Sequence, residues 1–358
     1  MSLIAAEIRQ GGGWLGFERF MALALYAPGL GYYSGGDRQF GALPASGSDF
    51  VTAPELSPRF GRALARQLAQ ALDATGTAEL WEFGAGSGAL AAQLLDALGE
   101  RITRYTIVDL SGTLRARQRQ TCAERVPRHL DKLRWADALP ERMEGVVVGN
   151  EVLDAMPVML LHWDGARWLE RGVTLDAAGR LAWADRPTGE RAPVDGPFVP
   201  GTVTELPRQG AAFVRTLAAR LARGAAFFLD YGFPEHEYYH PQRTGGTLMC
   251  HRGHQADADP LADVGRKDLT AHVDFTAMAL AGQDAGLEVL GYTSQARFLF
   301  NCGLLADLAD AGLRERAMAQ KLVTEHEMGE LFKVLGFVTP AESFDALGFA
   351  AGDRSHTL

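Results

Sequence analysis

An α/β fold, one mostly parallel sheet with helices on both faces, is what this sequence predicts, and three observations predict it. Short apolar runs alternate with helical patterns: ELWEFGA with ALAAQLLDAL, RYTIVDL with TLRARQRQTCAERV, GVVVGNE with FVRTLAARLA, and AAFFLDYG with FTAMALAGQDAG. Strand and helix in turn build βαβ units, whose connecting helices cover both faces of a parallel sheet. The first run also ends in a glycine-rich turn, Gly84 to Gly88, that opens the next helix. Finally, 358 residues at 47% hydrophobic and 22% charged supply a core large enough for such a sheet.

Taken in order, GFERFMALAL (16–25) is apolar at helical intervals and ends in the turn-rich YAPGLGYYSGG. Ser57 followed by Pro58 reads as an N-cap and first helical position, opening a helix to about Leu72. Residues 1–75 are thus expected to form an N-terminal helical extension covering the site, ahead of a core over 76–300. Ligands in such sheets sit beyond the carboxyl ends of the strands. The loops after Phe83, Val108, Val148 and Leu229 are therefore the places to look for function. Met159 to Pro187 breaks the rhythm. Aromatics flank Asp164–Gly165, a hairpin signal, so a β insert is expected over about 159–200. A substrate loop is expected over about 233–272, and 301–358 reads as a helical and strand part of the same fold.

A formal net charge of −9 argues against a general nucleic-acid binder and permits a cationic ligand. Three widely spaced cysteines suit a reducing compartment. No apolar run approaches the ~18 residues of a membrane span, and MSLIAAEIRQGGGW lacks the layout of a secretory signal. A cytoplasmic protein is expected. The aromatic-rich insert suits either a homodimer contact or a cover over the site.

Glycines between strand and helix let a ligand approach backbone N–H groups and the positive end of the helix. Gly84, Gly86 and Ala89 satisfy G-x-G-x-x-G/A, and Asp109 stands where a ribose-binding acid belongs, so a nicotinamide dinucleotide fits. Two features favour S-adenosylmethionine (SAM). Glu82, two residues before the first glycine, would repel a pyrophosphate and help an ammonium group. The third strand of the alternation ends in Asn150–Glu151, an acidic cluster that hydride transfer does not need. Ala136–Asp137 would lie beside the adenine. The cofactor candidates are Tyr33, Glu82, Gly84, Ala85, Gly86, Gly88, Asp109, Leu110, Ala136, Asp137 and Asn150.

From about Phe17 to Phe275 the chain resembles the MidA-like methyltransferases. The resemblance rests on FERFMALALYAPGLGYY, DFVTAPELSPRFGRALA, WEFGAGSGALAAQLL, GNEVLDAMPV, FLDYGF, EYYHPQRTGGTLMCHRGH and DLTAHVDF. TAPELSP, the YYHPQR…GTLMCHRGH block and LTAHVDF are the specific markers; the glycine turn is shared more widely. Asp109 departs from the Glu expected there. The resemblance implies a class I SAM-dependent methyltransferase fold (Rossmann-like). It also implies methylation of a protein arginine, on a subunit of respiratory complex I during assembly.

An arginine acceptor brings a second cation to a sulfonium, so carboxylates are needed to hold the guanidinium and offset repulsion. Asn150, Glu151, Asp154 and His272 are the catalytic candidates, with His272 as a proton acceptor or a buried structural histidine. Glu55, Glu151, Tyr231, Arg243 and His254 are the substrate-binding candidates. The histidines of 240–272 lack tight four-ligand spacing and methyl transfer needs no metal, so no metal site is assigned. A nicotinamide oxidoreductase, another amine acceptor, and a non-catalytic assembly factor stand as alternatives.

Overall fold

The computed structural model describes residues 2–34, 52–109, 111–253 and 255–358. Seven main strands form the central sheet: β1 Glu79–Phe83, β2 Arg104–Val108, β3 Leu133–Ala136, β4 Met143–Asn150, β5 Leu221–Phe233, β6 Glu288–Ser294 and β7 Phe332–Val338. They lie in the order β6-β7-β5-β4-β1-β2-β3, and the short strand Val273–Asp274 pairs with the end of β5. Strands β1 to β5 are parallel, and β7 runs antiparallel to both its neighbours. The chain order reverses between β1 and β4. That switch opens a crevice beyond their carboxyl ends.

Six helices matter for the site: α1 Phe17–Tyr26, α2 Pro58–Thr75, α3 Ala89–Leu98, α4 Gly112–Arg125, α5 Arg208–Arg220 and α6 Phe275–Asp284. The Ser57 hydroxyl accepts the Arg59 N–H, with Pro58 in the first turn, and Gly76 closes α2 at φ 60°. The helix therefore starts where Ser-Pro predicts and runs one turn further than the periodicity shows.

Side chains along a strand alternate between faces, and β5 shows the consequence. Ala225, Phe227 and Leu229 join Leu64 and Leu68 of α2 and Leu94 of α3 in one core. Ala226 and Phe228 join Val214 and Leu217 of α5 and Met278 of α6 in the other. Each fully buried Leu or Phe contributes about 1.5–3 kcal/mol, so the continuous apolar run of β5 fastens helices to both faces.

The β insert is an antiparallel sheet of Met159–Trp163, Trp168–Leu175, Leu181–Pro187 and Val203–Leu206, which also recruits Leu15–Gly16. Its first turn forms where Asp-Gly predicts. Asp164 Oδ1 accepts the N–H groups of Ala166 and Arg167 at 2.8 and 2.9 Å. A third core joins this sheet to Phe17 and Phe20 of α1, and to Cys250 and Leu269. The last two belong to a small sheet in which Met249–Arg252 lies between Gln255–Asp257 and Asp268–Thr270. Among the described residues no helix is long and apolar enough to cross a membrane.

Candidate active site

The crevice at the β1/β4 switch is a cleft of about 950 Å³. The glycine turn forms one end. Gly84, Gly86 and Gly88 all have positive φ (64°, 51° and 83°), which a side chain rarely tolerates. A Cβ on Gly84 would also stand 3.1 Å from Val152 across the cleft. Beneath the turn, Glu82 is 2% exposed and its Oε2 accepts the Tyr105 hydroxyl at 2.6 Å. Burial pushes this carboxyl up to about 8, the Tyr105 bond opposes the rise, and the nearby Asp109 adds to it.

Asp109 follows β2 and is held from two sides. The Ser111 N–H donates to Oδ1 at 2.8 Å and Gln118 Nε2 to Oδ2 at 2.6 Å. Gln118 Nε2 also reaches the Gly86 carbonyl at 3.3 Å, and Trp135 Nε1 donates to Gln118 Oε1 at 2.9 Å. One α4 side chain thus ties the glycine turn to the acid after β2.

At the other end, β4 delivers Asn150 and Glu151. Asn150 Nδ2 donates to Glu151 Oε1 at 3.1 Å, and Glu151 sits at φ 53°, a strained conformation for a side-chain-bearing residue. Glu151 retains some solvent contact. Yet desolvation by the cleft walls, with the charges of Asp154 and Asp268, raises its carboxyl to about 8, against hydrogen bonds from Asn150 and Ala53. Asp154 is buried and accepts the Tyr231 hydroxyl at 2.6 Å; burial lifts it to about 6. Asp268 receives the Tyr33 hydroxyl at 2.9 Å. His272 packs edge-on to Tyr231, and burial with the charges of Arg243 and Lys333 lowers it to about 4, so its ring is neutral.

Of the residues singled out in the sequence, Tyr33, Glu82, Gly84, Ala85, Gly86, Asp109, Asp137, Asn150, Glu151, Asp154, Tyr231 and His272 line this one cleft. Four others do not. Gly88 packs against the backbone of α4, where a Cβ would meet Gln118 Cα at 2.9 Å. Ala136 uses its carbonyl to accept the Asp109 N–H at 3.3 Å and the Arg115 guanidinium at 3.1 Å. The carboxylate of Glu55 turns to the Ser87 hydroxyl under the turn, leaving Thr52 and Pro54 to face the cleft. Arg243 is drawn over the Phe233 ring, its Cζ 4.3 Å from the centroid. Leu110 and His254 lie outside the described residues. Sequence reasoning missed Gln118, Asp230 and Asp268. The two acids stand inside FLDYGF and DLTAHVDF, but nothing in their spacing aims Asp268 at the cleft or Asp230 at the turn behind it.

The lining explains cofactor choice. Among the described residues it carries six acids (Glu82, Asp109, Asp137, Glu151, Asp154 and Asp268) and no Lys or Arg to meet a pyrophosphate. A family model described as "Putative S-adenosyl-L-methionine-dependent methyltransferase" matches residues 63–293. A crystal structure from Burkholderia thailandensis with bound S-adenosyl-homocysteine is 54% identical, covers 100% of this chain and 96% of its own, and superposes with a TM-score of 0.96. Among curated relatives, "Protein arginine methyltransferase NDUFAF7, mitochondrial" of Danio rerio is 26% identical over 92% of this chain and 84% of its own length. Its Mus musculus counterpart is 29% identical over 87% and 78%. These names overturn the cytoplasmic expectation, since composition and cysteine count carry no address within the cell. SAM, not a nicotinamide dinucleotide, is the cofactor. With the model spanning 63–293 and the acid-lined cleft at its centre, the chain belongs to this S-adenosyl-L-methionine-dependent methyltransferase family.

Proposed function

We propose that the protein methylates arginine side chains of a protein substrate. One observation carries this reading: a cleft walled by six acids, with no Lys or Arg among its described lining residues, extends beyond the glycine turn to a second acidic group, Glu151, Asp154 and Asp268. The curated relatives named as protein arginine methyltransferases support it, and by resemblance the client is a subunit of respiratory complex I.

In this reading the chain divides its acids by position. Glu82 takes the cofactor's ammonium end, Asp109 its ribose hydroxyls, and Asp137 the adenine side, with Asn150 fixing the edge between the two halves. When bound, SAM supplies an electrophilic methyl: an N–C bond forms as the S–C bond breaks, sulfur keeps the electron pair, and the acceptor nitrogen sheds one proton. Glu151 holds the guanidinium and offsets its repulsion from the sulfonium. Raised to about 8 in the ligand-free cleft, Glu151 is ionised by the cations beside it and then stands in place to accept the proton that the nitrogen sheds. His272, lowered to about 4, is a weaker base and serves better as a neutral wall beside Tyr231.

The test works with an unidentified client. Extract from cells lacking the gene is incubated with the protein and methyl-labelled SAM, and the proteins are hydrolysed to amino acids. Label in methylarginine is expected, falling about 100-fold with Glu151→Gln, as for loss of one preorganised charge at a reacting centre. Label in methyl-lysine, or in small molecules alone, overturns the reading.

A further inference from the structure

Behind the acid-bearing turn lies a carboxylate that does not face the cleft. Asp230, fully buried on β5, accepts three consecutive N–H groups on Oδ2: Val152 at 3.1 Å, Leu153 at 2.9 Å and Asp154 at 3.2 Å. Its Oδ1 accepts the Tyr231 N–H at 2.9 Å. Successive N–H groups converging on one oxygen make an anion nest, here filled by the protein's own side chain. The segment so gathered is the one carrying the cleft acids. Its ends are pinned as well. The Glu151 N–H donates to the Leu229 carbonyl at 2.8 Å, and the Asp154 carbonyl accepts the Ala271 N–H at 2.9 Å. Between them Glu151 stays at φ 53°, which a side chain keeps only when its surroundings over-determine it.

We infer that Asp230 is a positioning residue for methyl transfer: it gathers the 152–154 backbone so that Glu151 keeps its left-handed turn and Asp154 faces the cleft. A neutral acceptor would cap three N–H groups with less penalty. Burial and the charges of Asp154 and Glu151 push the Asp230 carboxyl well up, and the Leu153 and Asp154 N–H groups pull it back. A third acid beside two others is costly to keep, and its return is the geometry of those two. Unlike them, Asp230 does not border the cleft, so apart from its charge on those two acids it acts through the turn. The inference rests on the reading that Glu151 and Asp154 face the transferring methyl.

The test uses two cofactor analogues and no acceptor. S-adenosylhomocysteine lacks the charge of the sulfonium, whereas sinefungin carries a protonated amine in place of the methylsulfonium. The ratio of their dissociation constants, read by calorimetry, reports the acids near the methyl position. For Asp230→Asn, homocysteine-compound binding should stay within roughly twofold while sinefungin weakens about tenfold, the loss expected of one misplaced charge-assisted hydrogen bond. Combined with Glu151→Gln, the variant should lower the ratio no further than Glu151→Gln alone, because the two act as one unit. A loss of fold would weaken both ligands together. Should Asp230→Asn not fold, Asp230→Glu keeps the carboxyl and moves it by one methylene, and it should lower the same ratio. An unchanged ratio in whichever of the two folds, with Glu151→Gln lowering it, overturns the role of Asp230 alone. An unchanged ratio in Glu151→Gln overturns the acceptor reading and this inference with it.

Discussion

Glu82 shows what one residue costs and supplies. Its carboxyl starts from an ordinary 4.5 and is raised to about 8 by burial under the glycine turn. A folded-state value above the unfolded one means the native protein holds a proton that the unfolded chain releases. The stabilisation from this group is therefore complete below 4.5 and is lost as pH climbs to about 8. Glutamine keeps the shape and never ionises. Glu82→Gln should thus unfold in urea with a flatter pH dependence, gaining a few kcal/mol on the parent between about pH 5 and pH 9 in the ligand-free state. The same variant should bind SAM more weakly, having lost the charge proposed to meet its ammonium group. Parallel stability curves for the two proteins would show that the buried carboxyl is not the group that titrates.

At the scale of elements, the glycine turn has two jobs that a pattern of glycines does not separate. Gly84 and Gly86 border the cleft, whereas Gly88 lets α3 leave the turn against the backbone of α4. Gly88→Ala combines a φ of 83° with a Cβ placed 2.9 Å from Gln118 Cα, and a main chain cannot swing aside as a side-chain tip can. Gly179→Ala, in the insert hairpin, shares the positive φ (74°) but meets nothing within 4 Å. The first should cost roughly 2–4 kcal/mol and the second about 1 kcal/mol, by urea unfolding. Equal costs would mean that α4 shifts freely. The alternation of strands and helices, the Ser-Pro start of α2 and the Asp-Gly hairpin were legible because each is a local signal. Strand β3 was not. LRWA is four residues long, follows a 3₁₀ turn from Pro127, and is a strand because β2 offers it an edge. The antiparallel β7 was equally hidden, since chain direction in a sheet leaves no mark on composition.

Over the whole molecule, the site is assembled from long-range pairs. Tyr33 meets Asp268 across 235 residues, and Asp230 meets the 152–154 turn across 76 to 78. Strand ends could be read from the sequence, so Glu82, Asp109, Asn150 and Glu151 could be named as candidates and all four line the cleft; partners brought in by folding could not. The assembled result is an acidic cleft in which burial raises the carboxyls of Glu82, Glu151 and Asp154. At neutral pH the ligand-free protein keeps most of the protons on Glu82 and Glu151, each raised to about 8, and fewer on Asp154, raised to about 6. A cation entering the cleft favours the ionised forms and expels protons. SAM carries one more positive charge than S-adenosylhomocysteine, so it should release more protons on binding, and its affinity should rise with pH until the acids have ionised above about 8. Calorimetry in buffers of different ionisation enthalpy counts those protons directly. Near pH 7 the difference between the two ligands should approach one proton, and it should vanish near pH 10, where nothing is left to release. Glu151→Gln should remove most of the difference, while Glu82→Gln, acting on the ammonium that both ligands share, should lower both counts together. Equal proton release by SAM and its demethylated product at neutral pH would mean that the carboxyls beyond the glycine turn do not sense the sulfonium.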